Sequence, residues 1–412
     1  MPSGATSKVV RLLPMMSATL PPVFASTARS LDDAPPPGPR ARSLTRPRHT
    51  LYFSKYNGPS QGPRAFARGG KRVDIGEIRQ KGRNTMNNAE SHPARSRFGQ
   101  LLGLCAFVFS LTASGLSLAA PGEIQIPGDH VFPESLTATA DGTIFIGSLA
   151  DGMVFRVAPG AAAAEPWIKP GTNGLLSVLG VLADERSGTL WVCSTDLSGA
   201  GVVVPGEKQT ALKSFDLATG SAKGSVPLPG TGSLCNDIAI GPDGSTFVTD
   251  SLHPRILRLK PGAAAFDIWV ESPIFGTMGP NLDGIAFAGK GRLYVNSYQG
   301  GKLFRVGVRK DGSAGKVTEI KTSAALDHPD GLRMLGHNSF LMIEGAGRLD
   351  RVTVKGDRAQ IEVLKAGLNA PVAVARVGTT AWALEGQLNL LFDPAKKETK
   401  PEPFRAVAVS LK

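Results

Sequence analysis

Two stretches of the sequence place an aspartate directly before an apolar run typical of a buried strand. "DGIAFAGKGRLYVNS" begins at Asp283, and "DGLRMLGHNSFLMIEG" begins at Asp330. Burying a carboxylate at the start of a core strand costs free energy unless a partner compensates its charge. One interpretation is that Asp-Gly makes a turn, as this dipeptide commonly does. The other is that the two carboxylates bind a ligand or carry out acid–base chemistry.

The two stretches belong to a repeat of about 47 residues. The six copies begin at Glu134, Gly180, Asn236, Asp283, Asp330 and Pro371. Each copy has a large apolar residue at the same later position, namely Phe145, Trp191, Phe247, Tyr294, Leu341 or Trp382. Because short strand-like runs alternate with turn residues, the copies are predicted to form antiparallel sheets. The sequence thus predicts an all-β fold, a six-bladed β-propeller over residues 121–412. We expect "GEIQI" and "FRAVAVSLK", from the two ends of this domain, to complete the closing blade.

The first strand of each propeller blade lines the central channel, so the six copy starts are predicted to meet in a ring. Four of them carry side-chain oxygen atoms: Glu134, Asn236, Asp283 and Asp330. Three converging carboxylates repel one another unless a cation lies among them. Oxygen ligands without Cys or His favour a hard ion over zinc, and Ca²⁺ tolerates an irregular cage better than Mg²⁺. We therefore predict that these four residues hold a divalent metal, most naturally Ca²⁺.

From about Phe132 to Pro394 the chain resembles the gluconolactonase/regucalcin (senescence marker protein) family of six-bladed propellers. That family holds a divalent metal in the channel with a Glu, one or two Asn and an Asp. The resemblance places these ligands at Glu134, at Asn236 of "CND" and at Asp330 of "HPDG". The family's second Asn corresponds to Asp283, which keeps a ligand oxygen and adds negative charge. The family also often has a sugar-gripping Arg two residues before the Asn, and this position is Leu234.

The resemblance implies a metal-dependent hydrolase of the lactonase or esterase type acting on a small-molecule substrate. In such an enzyme the ion polarises the carbonyl and a carboxylate activates water. By resemblance that carboxylate is Asp330. Leu234 disfavours a polyhydroxylated sugar lactone as the substrate. The alternative is a non-catalytic exported propeller that binds a ligand or a protein and keeps a structural Ca²⁺. A strictosidine-synthase-like enzyme would share the propeller but leave the oxygen ring unexplained.

The positive charge of the chain is concentrated near its start. Residues 1–95 hold 16 of the 46 Lys and Arg but 5 of the 34 Asp and Glu, so the remainder is nearly neutral. This distribution does not predict a nucleic-acid partner. Residues 1–85 are rich in Pro, Arg, Ser and Gly, and we expect a disordered basic extension. Residues 86–120 show the basic, apolar and small-residue order of a signal peptide cleaved near Ala119, so translation is expected to start at Met86.

Export predicts a periplasmic or secreted protein with no membrane attachment after cleavage.

The mature chain then contains two cysteines, Cys193 and Cys235. An oxidising compartment permits a bridge between them, but two cysteines do not make a disulfide framework, and the sequence favours two buried free thiols. We expect the mature protein to be a monomer.

Overall fold

The computed structural model describes residues 121–206, 208–276, 279–289 and 291–412. The predicted extension and signal peptide lie outside these residues. The described chain is nearly all β-structure, and none of its helices has the length and apolar character needed to cross a membrane. Its strands form six four-stranded antiparallel units, numbered here as blades 1 to 6 in chain order.

The strands of each blade follow one another in the sequence, except in blade 6. Blade 1 contains β2 (Pro133–Ala138), β3 (Ile144–Ser148), β4 (Val154–Val157) and β5 (Glu165–Ile168). Blade 2 contains β6 (Ser177–Asp184), β7 (Thr189–Thr195), β8 (Ala211–Asp216) and β9 (Ala222–Pro227). Blade 3 contains β10 (Cys235–Ile240), β11 (Thr246–Asp250), β12 (Arg255–Leu259) and β13 (Asp267–Glu271). Blade 4 contains β14 (Leu282–Phe287), β15 (Arg292–Ser297), β16 (Lys302–Val308) and β17 (Ala314–Thr322). Blade 5 contains β18 (Pro329–Gly336), β19 (Ser339–Glu344), β20 (Arg348–Lys355) and β21 (Arg358–Ala366).

Blade 6 is built from both ends of the domain. It contains β22 (Pro371–Val377), β23 (Thr380–Glu385), β24 (Arg405–Ser410) and, on its outer edge, β1 (Glu123–Gln125). β1 pairs with β24 in antiparallel register, which confirms that both ends complete the closing blade. A short helix, α1 (Leu388–Phe392), lies between β23 and β24. Within the described ranges, four single turns of 3₁₀ helix occur at Thr172–Gly174, Ser198–Ala200, Pro273–Phe275 and Pro394–Lys396.

The innermost strands close into a ring around the channel. Neighbouring strands are in contact in the order β2, β6, β10, β14, β18 and β22, and β22 contacts β2 again. The predicted six-bladed propeller is therefore confirmed. The outer strands of blades 4 and 5 are also joined by a short parallel pairing of Lys321 with Arg358 and of Thr322 with Ala359.

Burial decreases from the channel to the rim of each blade. The second strands of the blades are buried on both faces because neighbouring blades pack against each other: every residue of β3 and β11 is buried, and β19 has a single half-buried residue. The outer strands β9 and β21 alternate between exposed and half-buried residues. Of the large apolar residues predicted for the second strands, Trp191 is half-buried and the other five are buried. The prediction that these side chains form core packing is confirmed.

A polar residue at or near the end of the second strand fixes the loop that leads into the blade. Asp250 Oδ1 accepts the backbone N–H of Leu234 at 3.0 Å, and Glu385 accepts that of Asn369 at 2.8 Å. Ser194 and Glu344 bind the equivalent loops of their own blades. Both Glu344 and Glu385 are buried and paired with arginine, so they have structural roles.

Cys193 and Cys235 form a disulfide with a Cα–Cα distance of 5.1 Å. The prediction of two free thiols is therefore wrong. The propeller places β7 of blade 2 beside β10 of blade 3, so residues 42 apart in sequence become neighbours. The bridge ties these two blades together one residue before Asn236.

A buried carboxyl pair in blade 5 makes stability depend on pH. Asp350 is fully buried, and neither of its carboxylate oxygens has a hydrogen-bond donor among the described residues; Glu344 Oε1 is in the same situation. One proton shared between the two carboxyl groups gives Glu344 Oε1 and one oxygen of Asp350 a hydrogen-bond partner. Burial, followed by the hydrogen bond and charge of Glu344, raises the pKa of Asp350 to about 8.

Because the pKa of Asp350 is higher in the folded state than its unfolded value of about 3.9, folding takes up a proton between these values. The stability contributed by the shared proton is present at low pH and is lost as the pH rises towards about 8. Asp350→Asn keeps a donor for Glu344 and removes the titration. Urea unfolding between about pH 5 and pH 8 is expected to give a smaller pH-dependent loss of stability for the variant. Equal pH dependence of the two proteins would contradict the shared proton.

Candidate functional site

The six innermost strands share an irregularity near their first residues. Each has a β-bulge within its first residues, where the pairing with the second strand shifts by one. In β14 the bulge falls at Asp283 and Gly284, and in β18 it falls at Asp330 and Gly331. A bulge re-aims the side chains it contains and commonly occurs next to functional sites. Here it frees the polar residues from the sheet pattern at the channel mouth.

Glu134, Asn236, Asp283 and Asp330 line one cavity in the channel. The cavity has a volume of about 10 Å³, which matches a single water-sized or ion-sized occupant. All four predicted residues are buried, with between 6% and 8% of their surface exposed. Gly180 also lines the cavity as predicted, whereas blade 6 contributes Val372 and Ala373 in place of the predicted Pro371.

Asn236, Asp283 and Asp330 are held by one another and by neighbouring strands. Asn236 Nδ2 donates to Asp283 Oδ2 at 3.0 Å and to Ser251 Oγ at 2.9 Å, so its Oδ1 is the atom available to a cation. Asp283 and Asp330 are joined by a side-chain hydrogen bond. The backbone carbonyl of Asp330 accepts the side-chain amide of Asn296. These contacts orient the ring from β10, β14 and β18 together.

Sequence reasoning missed two residues of the cavity, Asp237 and Arg333. The guanidinium of Arg333 binds Asp237 through two hydrogen bonds of 2.6 and 2.9 Å. Asp237 also accepts the backbone N–H groups of Ile238 and Ile285. With these four donors Asp237 is committed to structure, and it cannot serve as a free ligand. The two residues are 96 positions apart, so their pairing depends on the ring of blades rather than on a local pattern.

The carboxylates that line the cavity carry more negative charge than the guanidinium of Arg333 balances. Burial, followed by the charges of Asp283 and Asp237, raises the pKa of Glu134 well above its usual range. Burial, followed by the charges of Asp283 and Glu134, does the same to the pKa of Asp330. Burial and the charge of Asp237 raise the pKa of Asp283 to about 7. Arg333 offsets this repulsion only in part because its two terminal nitrogens, Nη1 and Nη2, donate hydrogen bonds to the carboxylate of Asp237.

The donor set fits a hard divalent cation. It offers carboxylate and amide oxygens without Cys or His, a cavity the size of one ion and an uncompensated negative charge. As the side chains stand, no group of three or more His, Cys, Asp or Glu in the described part of the chain is at metal-ligand spacing. Asn236 and Asp330 instead hydrogen bond to Asp283. A cation would have to replace these contacts with ligand bonds.

The glycine that follows Asp283 allows two blades to approach each other. A Cβ atom on Gly284 would lie 2.4 Å from the backbone oxygen of Asp330 and 2.5 Å from the backbone nitrogen of Leu332. Gly180 makes a similar approach to the backbone of Asn236, with a Cβ distance of 2.1 Å. The Asp-Gly pair is therefore a cavity-lining carboxylate followed by a contact point between blades, and it is not a turn.

Gly284→Ala is expected to lower the free energy of unfolding by about 3 kcal/mol, because backbone atoms cannot move away as a flexible side chain can. Gly336→Ala is the matched control, since no atom lies within 4 Å of the added methyl group. Urea denaturation of both variants measures the difference. A Gly284→Ala protein as stable as the control would show that the two strands are not in close contact.

Comparison with known proteins supports the fold. No family profile and no curated protein matches the sequence. Regucalcin from Agrobacterium tumefaciens, described as a calcium-binding protein, superposes with a TM-score of 0.52 at 14% identity over 71% of this chain and 95% of its own. A gluconolactonase candidate gives a TM-score of 0.51 at 14% identity, covering 70% of this chain and 92% of its own. A virginiamycin B lyase from Staphylococcus aureus gives 0.47 at 16% identity, covering 69% and 83%.

The likeness to regucalcin and to the gluconolactonase candidate confirms the predicted resemblance at the level of the fold. Because propellers of one architecture have many functions, the activity has to be argued from the site.

Proposed function

We propose that this protein is a metal-dependent hydrolase of the lactonase or esterase type, with the metal ion in the central channel. The observation that supports this most strongly is the convergence of Glu134, Asn236, Asp283 and Asp330 in one ion-sized cavity. Four separate blades supply these oxygens from the same bulged position of their innermost strands.

Glu134, Asn236, Asp283 and Asp330 would hold the metal, most naturally Ca²⁺ given the all-oxygen donor set. When bound, such an ion polarises the substrate carbonyl and stabilises the negative charge that develops on its oxygen. Asp237 and Arg333 lie beside the ligands and supply one balanced ion pair, which leaves the excess charge of the ring to the cation.

Asp330 is the residue we assign as the general base that takes a proton from water. Burial, followed by the charges of Asp283 and Glu134, raises the pKa of Asp330, and a base requires such a raised proton affinity. Its backbone is fixed by Asn296, so its side chain has a defined position. The hydroxyl of Tyr298 stays protonated because burial, followed by the charge of Asp330, raises its pKa. It is therefore a hydrogen-bond donor in the neighbourhood of Asp330.

We propose further that the protein is exported and acts in the periplasm or outside the cell as a monomer. The disulfide between Cys193 and Cys235 supports this proposal, because such bonds persist in oxidising compartments. The predicted signal peptide at residues 86–119 agrees with it.

The second candidate function is a non-catalytic propeller that binds a ligand and keeps Ca²⁺ for structure. The small size of the central cavity favours this candidate, because about 10 Å³ accommodates an ion but not a lactone. In the hydrolase, the body of the substrate must therefore lie outside the ring.

A panel of lactones and aryl esters, assayed with Ca²⁺ and with a chelator, separates the two functions. The hydrolase predicts turnover of at least one class of substrate that the chelator abolishes and Ca²⁺ restores. Absence of turnover throughout the panel, together with stabilisation of the protein by Ca²⁺, would favour the structural metal. Turnover that the chelator leaves unchanged would contradict the proposed role of the ring.

A further inference from the structure

A second cavity lies at the same end of the propeller as the carboxylate ring. Its volume is about 390 Å³, within the range that holds a small organic ligand. Its walls are largely apolar and come from the loops of blades 1 and 2: Ala150, Met153, Pro170, Val203, Val204 and Pro205. We call this cavity the apolar cleft.

The strand pairing places the apolar cleft at the channel mouth. Ser148 at the end of β3 pairs with Pro133, directly beside Glu134, and the chain then enters the loop that carries Ala150 and Met153. The strand pair of blade 2 gives the same result, because Thr195 pairs with Ser177 and the chain then continues to Val203. Both loops therefore leave their blades on the side where the ring residues lie.

The apolar cleft and the ring are also close along the chain. His130 lines the cleft and Glu134 lines the ring, so they are four positions apart in the sequence. Fully extended, four residues span at most about 14 Å. A small molecule with a hydrocarbon chain of moderate length covers that distance.

The wall of the cleft is an insertion in blade 2 that the propeller repeat does not require. The segment "GAGVVVPG" occurs between β7 and β8 and makes this repeat longer than the others. It places Val203 at the surface with 70% of its area exposed, the largest value among the large hydrophobic residues of the described chain. An exposed valine beside a ligand-sized cavity is surface that a bound molecule would cover.

The surroundings of Leu234, two residues before Asn236, are apolar as well. Leu234 is buried with Leu149 and Leu179 in a cluster drawn from blades 1 to 3. Residues of α1 from blade 6, Leu388 and Leu391, pack against this cluster while remaining half-buried. None of these side chains can hydrogen bond to a sugar hydroxyl.

We propose that the apolar cleft binds the hydrocarbon chain of the substrate, which makes the substrate an apolar-chain lactone or ester. This inference rests on the proposed function for the position of the reacting carbonyl in the ring. The central cavity holds the ion, the carbonyl end of the substrate lies against the ring from outside, and the cleft takes the chain. The pair formed by His130 and Asp151, 3.2 Å apart, is the polar boundary of the cleft.

The test uses γ-lactones whose side chains lengthen from methyl to octyl. Each methylene group that the cleft buries is expected to raise kcat/KM about threefold to fourfold until the cleft is full. Val203→Asp should lower kcat/KM for the octyl lactone about tenfold and leave the methyl lactone unchanged. Val363→Asp is the matched control, because Val363 is an exposed valine on β21 of blade 5. Met153→Gln provides a second cleft variant with the same expected direction.

The γ-lactams with the same side chains give a readout that does not depend on turnover. They are expected to raise the melting temperature of the wild-type protein more as the chain lengthens, and less in Val203→Asp. Suppose that methyl lactones are hydrolysed but neither rate nor melting temperature responds to chain length. This result would contradict binding of the hydrocarbon chain in the apolar cleft and would leave the proposed hydrolase supported. If no lactone is hydrolysed but the long lactams stabilise the wild-type protein and not Val203→Asp, the cleft stands and the hydrolase fails.

Discussion

Asp330→Asn is expected to lower kcat for the best substrate by at least about 100-fold, because it removes the proposed general base. The asparagine keeps an oxygen that can bind the cation, so stabilisation of the folded protein by Ca²⁺ should be largely retained. Steady-state kinetics and thermal melting on the same preparation measure the two effects. This combination distinguishes a base from a residue whose only role is to hold the metal.

Asp350→Asn is the matched control for Asp330→Asn. It makes the same chemical change at another buried aspartate of blade 5, outside the cavity, and should leave kcat unchanged. If Asp330→Asn keeps wild-type turnover, Asp330 is not the base. If it loses turnover and calcium stabilisation together, its role is that of a ligand.

Arg333→Met is expected to lower the free energy of unfolding by about 3–5 kcal/mol, because it leaves the buried carboxylate of Asp237 without its partner. The loss adds to the repulsion within the ring, since the charge of Arg333 lowers the pKa of both Glu134 and Asp283. Urea denaturation of the wild-type protein and the variant gives the difference.

The double variant Arg333→Met/Asp237→Asn tests the reason for this loss. It removes both charges of the pair, so it should be more stable than Arg333→Met alone. A single variant within about 1 kcal/mol of wild type would show that the pair is hydrated and weak. A double variant less stable than the single one would show that Asp237 stabilises the strands without Arg333.

The sequence predicted the parts of the structure that repeat. Six copies of one pattern are enough to predict six blades, and equivalent positions of equivalent blades must meet at the channel. The repeat therefore predicts that Glu134, Asn236, Asp283 and Asp330 lie together, and the structure places them in one cavity. Pro371 fails as the sixth member because the bulge in β22 falls at Val372.

Pairings between blades were not predictable from spacing alone. Asp237 and Arg333 are ordinary residues in the sequence, although each lies within three positions of a predicted ligand. The disulfide was within reach, because Cys193 and Cys235 lie in adjacent copies of the repeat. The number of cysteines alone does not indicate the bridge, whereas the register of the blades places Cys193 and Cys235 side by side.

Segments without a repeat partner were the least predictable. The insertion that carries Val203 and the segment that carries α1 have no equivalents in other blades, so no register applies to them. Their positions follow from tertiary contacts. Gln387 illustrates this: its side-chain Nε2 donates to the backbone carbonyl of Glu402 at 3.0 Å, and its Oε1 accepts the backbone N–H of Glu402 at 2.9 Å, which joins the two ends of the α1 segment.

The melting temperature of the protein, measured with a chelator and with excess Ca²⁺, shows whether one cation binds to all four ring residues. These residues are Glu134, Asn236, Asp283 and Asp330. Binding to the folded state alone stabilises it by about 2.7 kcal/mol at 100 times the dissociation constant, because the unfolded chain cannot assemble the site. We expect the chelator to lower the melting temperature by several degrees, Ca²⁺ to restore it, and Asp283→Ala to abolish the response. A wild-type melting temperature that neither the chelator nor Ca²⁺ changes would contradict the metal ring and the hydrolytic mechanism that depends on it.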